Sequence, residues 1–547
     1  MSDTSGINST ITSKISTNGQ QLITGAILAA VLGSGGLTAW VATQYTPHVA
    51  SLAALRSFTS VYATRVIRDD YAPGNGAPAM LYTWNASCPA PTDNAALYVA
   101  PLVGAGCWSA QADPNVVNPK EWGAKCDGAT QDQIPMQFAL SAAEALKKSF
   151  PVPGSCVVSG LSVNVPVKFQ GNGDQSQIIL ASGSSAPAIS ISIPSTAPGI
   201  VGNWANVTLE DLIITSPNRA DANRALEHGI VVADAGSPAV TVVNLINASI
   251  SGIPGDGIHA IAHSGYFNLV NSNVILPGQS GFYCNSSTDT VVNGGAFYGA
   301  LNYNIVLSNC FNTKVNNINS FDSVQSGVYV YQSGDVVFDN DTLDTSGQHS
   351  IDIQNTSGQV VTFLGGLIRW SSTSANATYY DLFSDNGNAG TTTLFGTHFP
   401  TPASSTSSNK PAGNVGFYGA GSAPIDCFNC VFDLGQIGTA GITNSATNQL
   451  YSGSSQNYIL RSAAQYTGQA GYNGTNLVWN LFCNAVGCDN GVLQLLSGNS
   501  VGAQISAYGA SFLQTLSLVG IPTSAGSGGL YVCVDSTGAT YKKSSCP

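Results

Sequence analysis

The sequence predicts an all-β fold, a right-handed parallel β-helix, from a repeat and from the strand pattern inside each repeat unit. Between residues 229 and 352, short apolar runs begin at positions 230, 258, 282, 305, 328 and 351. After a first step of 28 residues, the spacings are 24, 23, 23 and 23. A fixed period of this length indicates stacked units that bury their apolar faces against one another. Runs such as Val328–Tyr331 alternate in the manner of short strands.

A column of amide and acidic residues repeats at nearly the same interval. Asn271, Asn293, Asn316 and Asp339 each follow an apolar residue directly. In a parallel β-helix, equivalent residues of successive windings stack about 4.8 Å apart. We therefore predict a ladder of side-chain amides at one turn of the helix.

The composition favours a turn-rich β protein and excludes several classes of partner. Hydrophobic residues make up 43% of the 547-residue chain, and charged residues only 8%, against about 25% in ordinary globular chains. The 60 glycines suit tight turns. The net charge is −12 and no basic run is present, so we expect no nucleic-acid partner and no attachment to an anionic membrane surface.

The twelve cysteines fall into neighbouring pairs, which indicates disulfides formed in an oxidising compartment. The alternative is a set of buried thiols that pack as small apolar residues. For Cys284/Cys310, about one winding apart, both interpretations stand equally. Zinc binding by Cys427/Cys430 and Cys483/Cys488 is disfavoured because no histidine accompanies them. The pairs are Cys88/Cys107, Cys126/Cys156, Cys284/Cys310, Cys427/Cys430, Cys483/Cys488 and Cys533/Cys546.

The N-terminal region contains one long apolar segment. Residues 22–42 carry no charge, and their length would permit a membrane span. The polar lead of 21 residues is too long and too weakly basic for a signal peptide. Apolar residues at 23, 27, 28, 31 and 32 form a helical stripe that ends at Gly35-Gly36, which favours a helix buried against another protein.

Four short stretches resemble parts of known protein families. Residues 81–84 (Leu-Tyr-Thr-Trp) and 103–108 (Val-Gly-Ala-Gly-Cys-Trp) resemble the head domain that precedes the β-helix of bacteriophage tailspikes. Residues 18–25 resemble the virion-anchoring N-termini of phage tail proteins. Residues 121–132 (Glu-Trp-Gly-Ala-Lys-Cys-Asp-Gly-Ala-Thr-Gln-Asp), followed by an Ala-rich stretch through Leu146, are similar to the start of pectate-lyase-like β-helices, where a helix caps the solenoid.

The residues agree with the capping role that this resemblance implies. Asp127-Gly128 suits a tight turn, and Asp132 can cap the start of the helix, so we interpret these acids as structural. The resemblance implies a homotrimer fixed to phage tail or adaptor proteins through its N-terminus, located in the virion and acting extracellularly. The expected parts are a virion-anchoring segment 1–44, a head domain 45–118, the β-helix 119–400, a linker 401–411 and a C-terminal β-rich domain 412–547.

Candidate catalytic residues are four acids that precede the apolar run of their winding: Glu227, Asp256, Asp322 and Asp344. Stacking places Glu227 beside Asp256, and Asp322 beside Asp344, on neighbouring windings. A pair of carboxylates about 5–5.5 Å apart suits a retaining glycosidase, and a pair about 6.5–9.5 Å apart suits an inverting one. One member must then keep its proton. Turns favour Asp for conformational reasons alone, so a purely structural role stays open.

Candidate substrate-binding residues lie near the same turns. Histidine and glutamine side chains there can hydrogen-bond sugars, and exposed aromatic rings can stack on them, although aromatic residues of a solenoid also serve its core. A lyase would need a base and a cation, and Arg219 and Arg224 are the nearest candidates, in a run better explained as a solvated loop. We expect no metal and no cofactor. The polar candidates are His228, His259, Gln325, Gln348 and His349, and the aromatic ones Trp370, Tyr266, Tyr283, Tyr379 and Tyr380.

From the residues and the resemblance together we expect a tailspike or tail fibre that recognises host cell-surface polysaccharide. A depolymerase activity, by hydrolysis rather than elimination, is compatible with the acids. Two alternatives stay open: a non-catalytic receptor-binding or structural tail fibre, and a secreted pectin-type lyase or hydrolase.

Overall fold

The structure is a computed structural model, and it describes most of the chain between residues 46 and 400 and short strands beyond. Two compact units make up the chain, Met1–Lys125 and Cys126–Pro547. The described residues are 46–58, 63–88, 96–220, 226–233, 240–354, 359–375, 378–385, 391–400, 411, 413–417, 425–428, 431–432, 450–451, 490–497, 500–508, 516–517, 531–534 and 540–543.

The second unit contains three parallel sheets, to which each winding of the chain contributes one short strand in turn. We call them wall 1, wall 2 and wall 3 in the order in which a winding visits them. Wall 1 contains Leu161–Val163, Ile189–Ile191, Ile230–Ala233, Ile258–Ile261, Phe282–Asn285, Ile305–Ser308, Val328–Tyr331, Ile351–Gln354, Tyr380–Asp385 and Gly413–Phe417. Wall 2 contains Phe150–Pro151, Lys168–Gln170, Trp204–Glu210, Val240–Ile246, Gly265–Val270, Thr290–Asn293, Lys314–Asn316, Val336–Asp339, Val360–Leu364, Thr391–Phe395, Ile425–Phe428 and Leu450–Tyr451. Wall 3 contains Asp127–Gln131, Ser155–Val158, Gln177–Leu180, Ile213–Thr215, Ser249–Ser251, Asn273–Ile275, Ala296–Tyr298, Asn319–Phe321, Thr342–Leu343, Leu367–Ile368, His398–Phe399 and Val431–Phe432.

The repeat in the sequence is the register of wall 1, which confirms the predicted right-handed parallel β-helix. Ile258 pairs with Phe282, which pairs with Ile305, and the pairing continues through Val328 to Ile351. All five side chains have no exposed surface. They form one apolar stack along the axis, so burial of these side chains holds each winding to the next.

A helix and a turn begin the β-helix as predicted. The helix Gln133–Leu146 buries Met136, Leu140 and Ala143. The Asp127 carboxylate accepts the backbone N–H groups of residues 129 and 130, which stabilises the turn. Asp132 stands at the N-cap position, but the predicted cap bond is wrong. Its carboxylate accepts the backbone N–H of residue 126 instead, because the chain folds back before the helix starts.

The first unit contains a small sheet around an aromatic core. The helix Leu52–Ser57 and the 3-10 helix Pro119–Trp122 accompany the sheet. Trp108 and Tyr82 are fully buried there, and the indole of Trp84 packs edge-on against Trp108 at 5.1 Å between ring centroids. The strands of the sheet are His48–Val49, Arg65–Arg68, Met80–Asn85, Tyr98–Val99 and Cys107–Ala110.

The predicted amide ladder exists, with one correction. Asn293 donates to Asn268 at 2.8 Å, and Asn316 donates to Asn293 at 2.8 Å. Asn271, which the sequence column included, belongs to a second ladder, where its side chain donates to Asn247 at 3.3 Å. It sits at the corner after the wall 2 strand with φ of 48°, so its side chain leaves the line of the strand.

The three walls continue beyond residue 400, where the sequence analysis placed the end of the β-helix. Strands Gly413–Phe417, Ile425–Phe428 and Val431–Phe432 pair in parallel with the preceding winding. Connections of irregular length hide these windings in the sequence although the strand pairing persists. Antiparallel strands follow in the C-terminal region: Asn490–Ser497, Ser500–Tyr508, Leu516–Ser517, Tyr531–Val534 and Thr540–Lys543.

Three of the six predicted cysteine pairs are disulfides. They are Cys88–Cys107, Cys126–Cys156 and Cys284–Cys310. The sequence left Cys284 and Cys310 equally compatible with a disulfide and with buried thiols, and the structure has the disulfide. The side chains of the other three pairs, including the disfavoured zinc ligands, lie outside the described residues. No helix in the described part of the chain is long and apolar enough to cross a membrane. The apolar segment 22–42 and the predicted linker at 401–410 also lie outside the described residues.

Candidate functional site

The predicted site residues lie along one side of the β-helix. Turns from wall 3 lead into wall 1 at residues 252–257, 276–281, 299–304, 322–327 and 344–350, and the outward side chains of wall 1 follow them. We call these turns and outward side chains the wall-1 face. Asp256, Asp322, Gln325, Asp344, Gln348 and His349 lie in these turns, and His259 lies in a wall 1 strand. Glu227, His228 and Trp370 lie in the corresponding turns of the windings on either side, which belong to the same face.

A buried cluster of one carboxylate and two imidazoles stands at one end of this face. Asp256 Oδ2 lies 3.0 Å from His259 Nδ1 and 3.3 Å from His228 Nδ1, and its Oδ1 accepts the backbone N–H of Ser280 at 2.9 Å. Burial raises the pKa of Asp256, but the two imidazoles outweigh it and hold the pKa at about 2. Asp256 is therefore ionised at neutral pH and does not serve as a general acid.

Glu227 lies in the turn that precedes the same cluster. Its side chain has no exposed surface, and its backbone carbonyl accepts the N–H of Gly255, which ties the two neighbouring turns together. In a hydrolytic pair with Asp256, Glu227 would have to be the member that keeps its proton. Its role stays a prediction.

The same cluster offers donors of the kind that bind transition metals. One donor atom each from His228, Asp256 and His259 lies within 4.8 Å of the others. Imidazole and carboxylate suit several divalent ions. However, His228 Nδ1 accepts the backbone N–H of Asp256 at 3.0 Å, so this nitrogen is already engaged in a hydrogen bond. Hydrogen bonding accounts for this contact without an ion.

A second acidic group lies farther along the face, where the structure pairs an acid with an arginine. Asp344 Oδ2 accepts from Arg369 Nε at 3.0 Å and from its Nη2 at 2.9 Å, and the guanidinium lies 4.7 Å from the Trp370 ring centroid. Burial raises the pKa of Asp344; Arg369 opposes this shift, and the nearby charge of Asp322 adds to it. Asp322 is exposed. Burial thus favours the protonated form of Asp344, whereas Asp322 is exposed to solvent. A glycosidase needs this kind of difference between its proton donor and its carboxylate.

His349 is embedded among aromatic rings. Its ring stacks on Phe383 at 4.3 Å and meets Tyr379 edge-on at 5.1 Å, and Tyr380 lies 6.2 Å away. Burial lowers the pKa of His349 to about 4, so it is neutral at pH 7. Its Nδ1 accepts the backbone N–H of Tyr380, which fixes the ring in place. Gln325 is half-buried and donates weakly to Asn302 at 3.4 Å.

Sequence reasoning missed a group of tyrosines in the centre of the face. Tyr303 stacks on Tyr329 with 4.8 Å between centroids and 16° between planes, and Tyr331 lies 6.0 Å farther along. The Tyr329 hydroxyl donates to Gln354, whose amide donates to Asp352 at 3.1 Å. The 23-residue step could have found part of it, because residues 283, 306, 329 and 352 occupy one outward column.

Two other sequence candidates lie in different surroundings from those expected. Tyr266 is on wall 2, where its ring packs 5.5 Å from Trp204, so it does not belong to the wall-1 face. Arg219 was interpreted as part of a solvated loop, and that is wrong. It donates to the backbone carbonyls of Pro277, at 3.0 Å, and of Gly299, and so joins turns of successive windings. Arg224 lies outside the described residues.

Comparison with known proteins identifies the fold but no sequence family. No family model matches the chain, and no curated protein matches it. The enzymatically active domain of tailspike protein 2 from bacteriophage CBA120 is 16% identical, covers 74% of this chain and 59% of its own, and has a TM-score of 0.54. The full-length tailspike protein 2 from an Escherichia coli O157:H7 bacteriophage is 16% identical, with coverages of 73% and 53% and a TM-score of 0.56.

These likenesses confirm the tailspike-like β-helix that the sequence resemblance predicted. The chain spans between half and three fifths of the length of these two tailspike structures. At 16% identity the likeness shows the fold alone.

Proposed function

We propose that the chain is a tailspike-type protein that binds a host cell-surface polysaccharide along the wall-1 face. One observation carries the proposal: outward rings and hydrogen-bonding groups repeat there from winding to winding. His259 pairs with Tyr283, Val306 follows, and Tyr329 and Asp352 continue the column. At about 4.8 Å per winding, five positions span roughly 20 Å. A sugar chain lying along the axis would meet an aromatic or polar side chain at most steps.

The tyrosine pair is the expected centre of binding. The stacked rings of Tyr303 and Tyr329 form an apolar platform, and the Gln354 amide and Asp352 carboxylate beside it offer hydrogen bonds. Sugars present apolar C–H faces and hydroxyl edges, so they fit a platform with polar groups at its rim. The direct test is binding to a panel of purified bacterial capsular and O-antigen polysaccharides.

Single substitutions separate this platform from a general surface effect. Tyr329→Ala should weaken binding about tenfold or more, because stacking contributes on the order of 1.5 kcal/mol. Tyr266→Ala is the matched control, since it removes a half-buried tyrosine from wall 2. Equal affinities for the two variants, or no binding by the unmodified protein to any polysaccharide of a susceptible host, would refute the proposal.

A second candidate function is hydrolysis of the bound polysaccharide, favoured by the different environments of Asp344 and Asp322. Asp344 in its protonated form would donate its proton to the glycosidic oxygen. Asp322 as a carboxylate would accept a proton from the attacking water, so that hydroxide adds to the anomeric carbon as the C–O bond breaks. Arg369 would hold the Asp344 carboxylate that remains.

Product release distinguishes this enzyme from a non-catalytic fibre. A hydrolase releases oligosaccharides with new reducing ends, whereas a receptor-binding fibre binds the same glycan without shortening it. Asp344→Asn should lower the rate at least a hundredfold if the acid transfers a proton. Asp335→Asn, an exposed acid in a turn between walls 1 and 2, is the control. Full activity of Asp344→Asn would remove this site, and Glu227→Gln then tests the pair with Asp256. A double-bond absorbance in the products would indicate a lyase.

Attachment to the virion belongs to the same proposal. Residues 18–25 resemble virion-anchoring segments, which supports attachment to tail or adaptor proteins at the N-terminus. The resemblance to tailspikes also implies a homotrimer. Its location would then be the phage tail, outside the host cell. Detection of the chain in purified virions, and its loss when residues 1–44 are deleted, tests this. A protein secreted by a cell and absent from virions would favour the pectin-type enzyme instead.

A further inference from the structure

The wall-1 face carries far more acid than base. Its described turns and strands between residues 226 and 384 contain six carboxylic acids and one arginine, and no lysine. Asp352 and Asp256 are nearly buried, whereas Asp322 is exposed. The acids are Glu227, Asp256, Asp322, Asp344, Asp352 and Asp381, and the base is Arg369.

Among the described residues, the two arginines near the face are both engaged by the protein. Arg369 donates to Asp344 Oδ2 from Nε at 3.0 Å and from Nη2 at 2.9 Å, so its guanidinium is already engaged. Arg219 donates to the carbonyls of Pro277 and Gly299 from the neighbouring turns. A ligand anion would therefore have to break an existing contact in order to gain a guanidinium partner.

Two other titratable groups of the face, Asp256 and His349, add little charge to its surface. Asp256 is 3% exposed, and its Oδ2 faces two imidazoles, 3.3 Å from His228 Nδ1 and 3.0 Å from His259 Nδ1, so it adds little charge to the surface. His349 is neutral at pH 7 because burial lowers its pKa to about 4. Charges held at low solvent exposure are screened less by salt than those on an open surface. The described part of the face therefore offers an approaching anion no unengaged arginine or lysine, while the exposed Asp322 and the Asp352 carboxylate beside the tyrosines favour a negative local potential.

We infer that the wall-1 face binds an uncharged polysaccharide and discriminates against chains that carry carboxylate, sulfate or phosphate groups. This inference rests on the proposed polysaccharide binding and adds the chemical class of the ligand. The tyrosine platform supplies stacking that needs no charge, and beside it the Gln354 amide N–H can donate to a sugar hydroxyl and the Asp352 carboxylate can accept from one. An anionic chain would meet like charge from Asp322 and Asp352 on neighbouring windings and would find no unengaged arginine or lysine in the described part of the face.

The test compares each acidic polysaccharide of the panel with its own carboxyl-reduced form. Reduction converts uronate to a neutral sugar and preserves the linkages, so only charge differs within a pair. We expect the reduced form to bind at least tenfold more tightly at low ionic strength, and the difference to shrink as salt is added. Tighter binding of the acidic form would overturn the inference and leave polysaccharide binding intact. If neither the neutral nor the acidic form of any polysaccharide binds, the proposed function itself is refuted.

A charge variant links the effect to this face. Asp352→Asn removes one negative charge beside the platform and should raise the affinity for acidic forms about threefold, with a smaller change for the reduced forms. Asp335→Asn removes an equal charge from a turn between walls 1 and 2. An equal gain in the two variants would show that net charge, and not the wall-1 face, sets the discrimination.

Discussion

Asp341 should make the stability of the β-helix depend on pH, and replacement by asparagine should remove that dependence. The residue lies at the corner between walls 2 and 3 and is 4% exposed. Its Oδ1 accepts the backbone N–H of Ile318 at 2.9 Å, while Oδ2 is buried without a hydrogen-bond partner among the described residues. Burial raises the pKa of Asp341 from 3.8 to about 8, and the charge of Asp339 adds to the shift.

The sign and the size of the effect follow from this shift. A folded-state pKa above the unfolded value means that the protonated carboxyl contributes its full stability below about pH 4. That contribution is lost as the pH rises towards 8. Each unit of pH in this window costs about 1.4 kcal/mol, so the loss reaches at most roughly 6 kcal/mol. Asparagine keeps an oxygen for Ile318 and cannot ionise.

Chemical denaturation at pH 4.5, 6, 7.5 and 9 measures the difference. The free energy of unfolding of Asp341→Asn should exceed that of the unmodified protein by an amount that grows with pH and levels off above 8. Asp335→Asn, at an exposed position, should stay within about 0.5 kcal/mol of the unmodified protein throughout. A constant difference between the Asp341 variant and the unmodified protein would show that this carboxyl ionises normally.

Three further substitutions test the packing of the windings by the same denaturation assay. Replacing Cys284 and Cys310 together by serine should lower the free energy of unfolding by about 3.5 kcal/mol, as expected for a disulfide separating 26 residues; an unchanged value would mean that the pair is not bonded. Phe282→Ala in the central stack should cost about 3–5 kcal/mol, and a loss below about 1 kcal/mol would place this ring outside the core. Asn293→Ala removes two ladder bonds and should cost about 1–2 kcal/mol, more than Asn271→Ala; equal losses would favour the single column expected from the sequence.

The fold could be predicted because the repeat records a physical requirement. Each winding must place an apolar side chain at the same depth, so Ile258, Phe282 and Ile305 recur at the period of one turn of the chain. Where connections vary in length, the period disappears although the pairing does not, as at Gly413–Phe417. The end of the β-helix was therefore placed too early.

The site could be predicted as a region but not as a set of interactions. Turn position alone brought Asp256, Asp322 and Asp344 to one face. It could not reveal that two imidazoles hold Asp256 ionised, or that Arg369 pairs with Asp344, because these contacts depend on side-chain directions across windings. The stacking of Tyr303 on Tyr329 was missed for a related reason, since one ring lies in a turn and the other in a strand.

The central claim, that glycan binds along the wall-1 face, is tested most directly by hydrogen–deuterium exchange with and without a polysaccharide that binds. We predict that saturating glycan slows amide exchange in the turns 276–281, 299–304 and 322–327 and in the adjoining wall 1 strands. Exchange in the strands of wall 2, including Gly265–Val270, should not change. Protection confined to wall 2 or to the first unit would contradict the account.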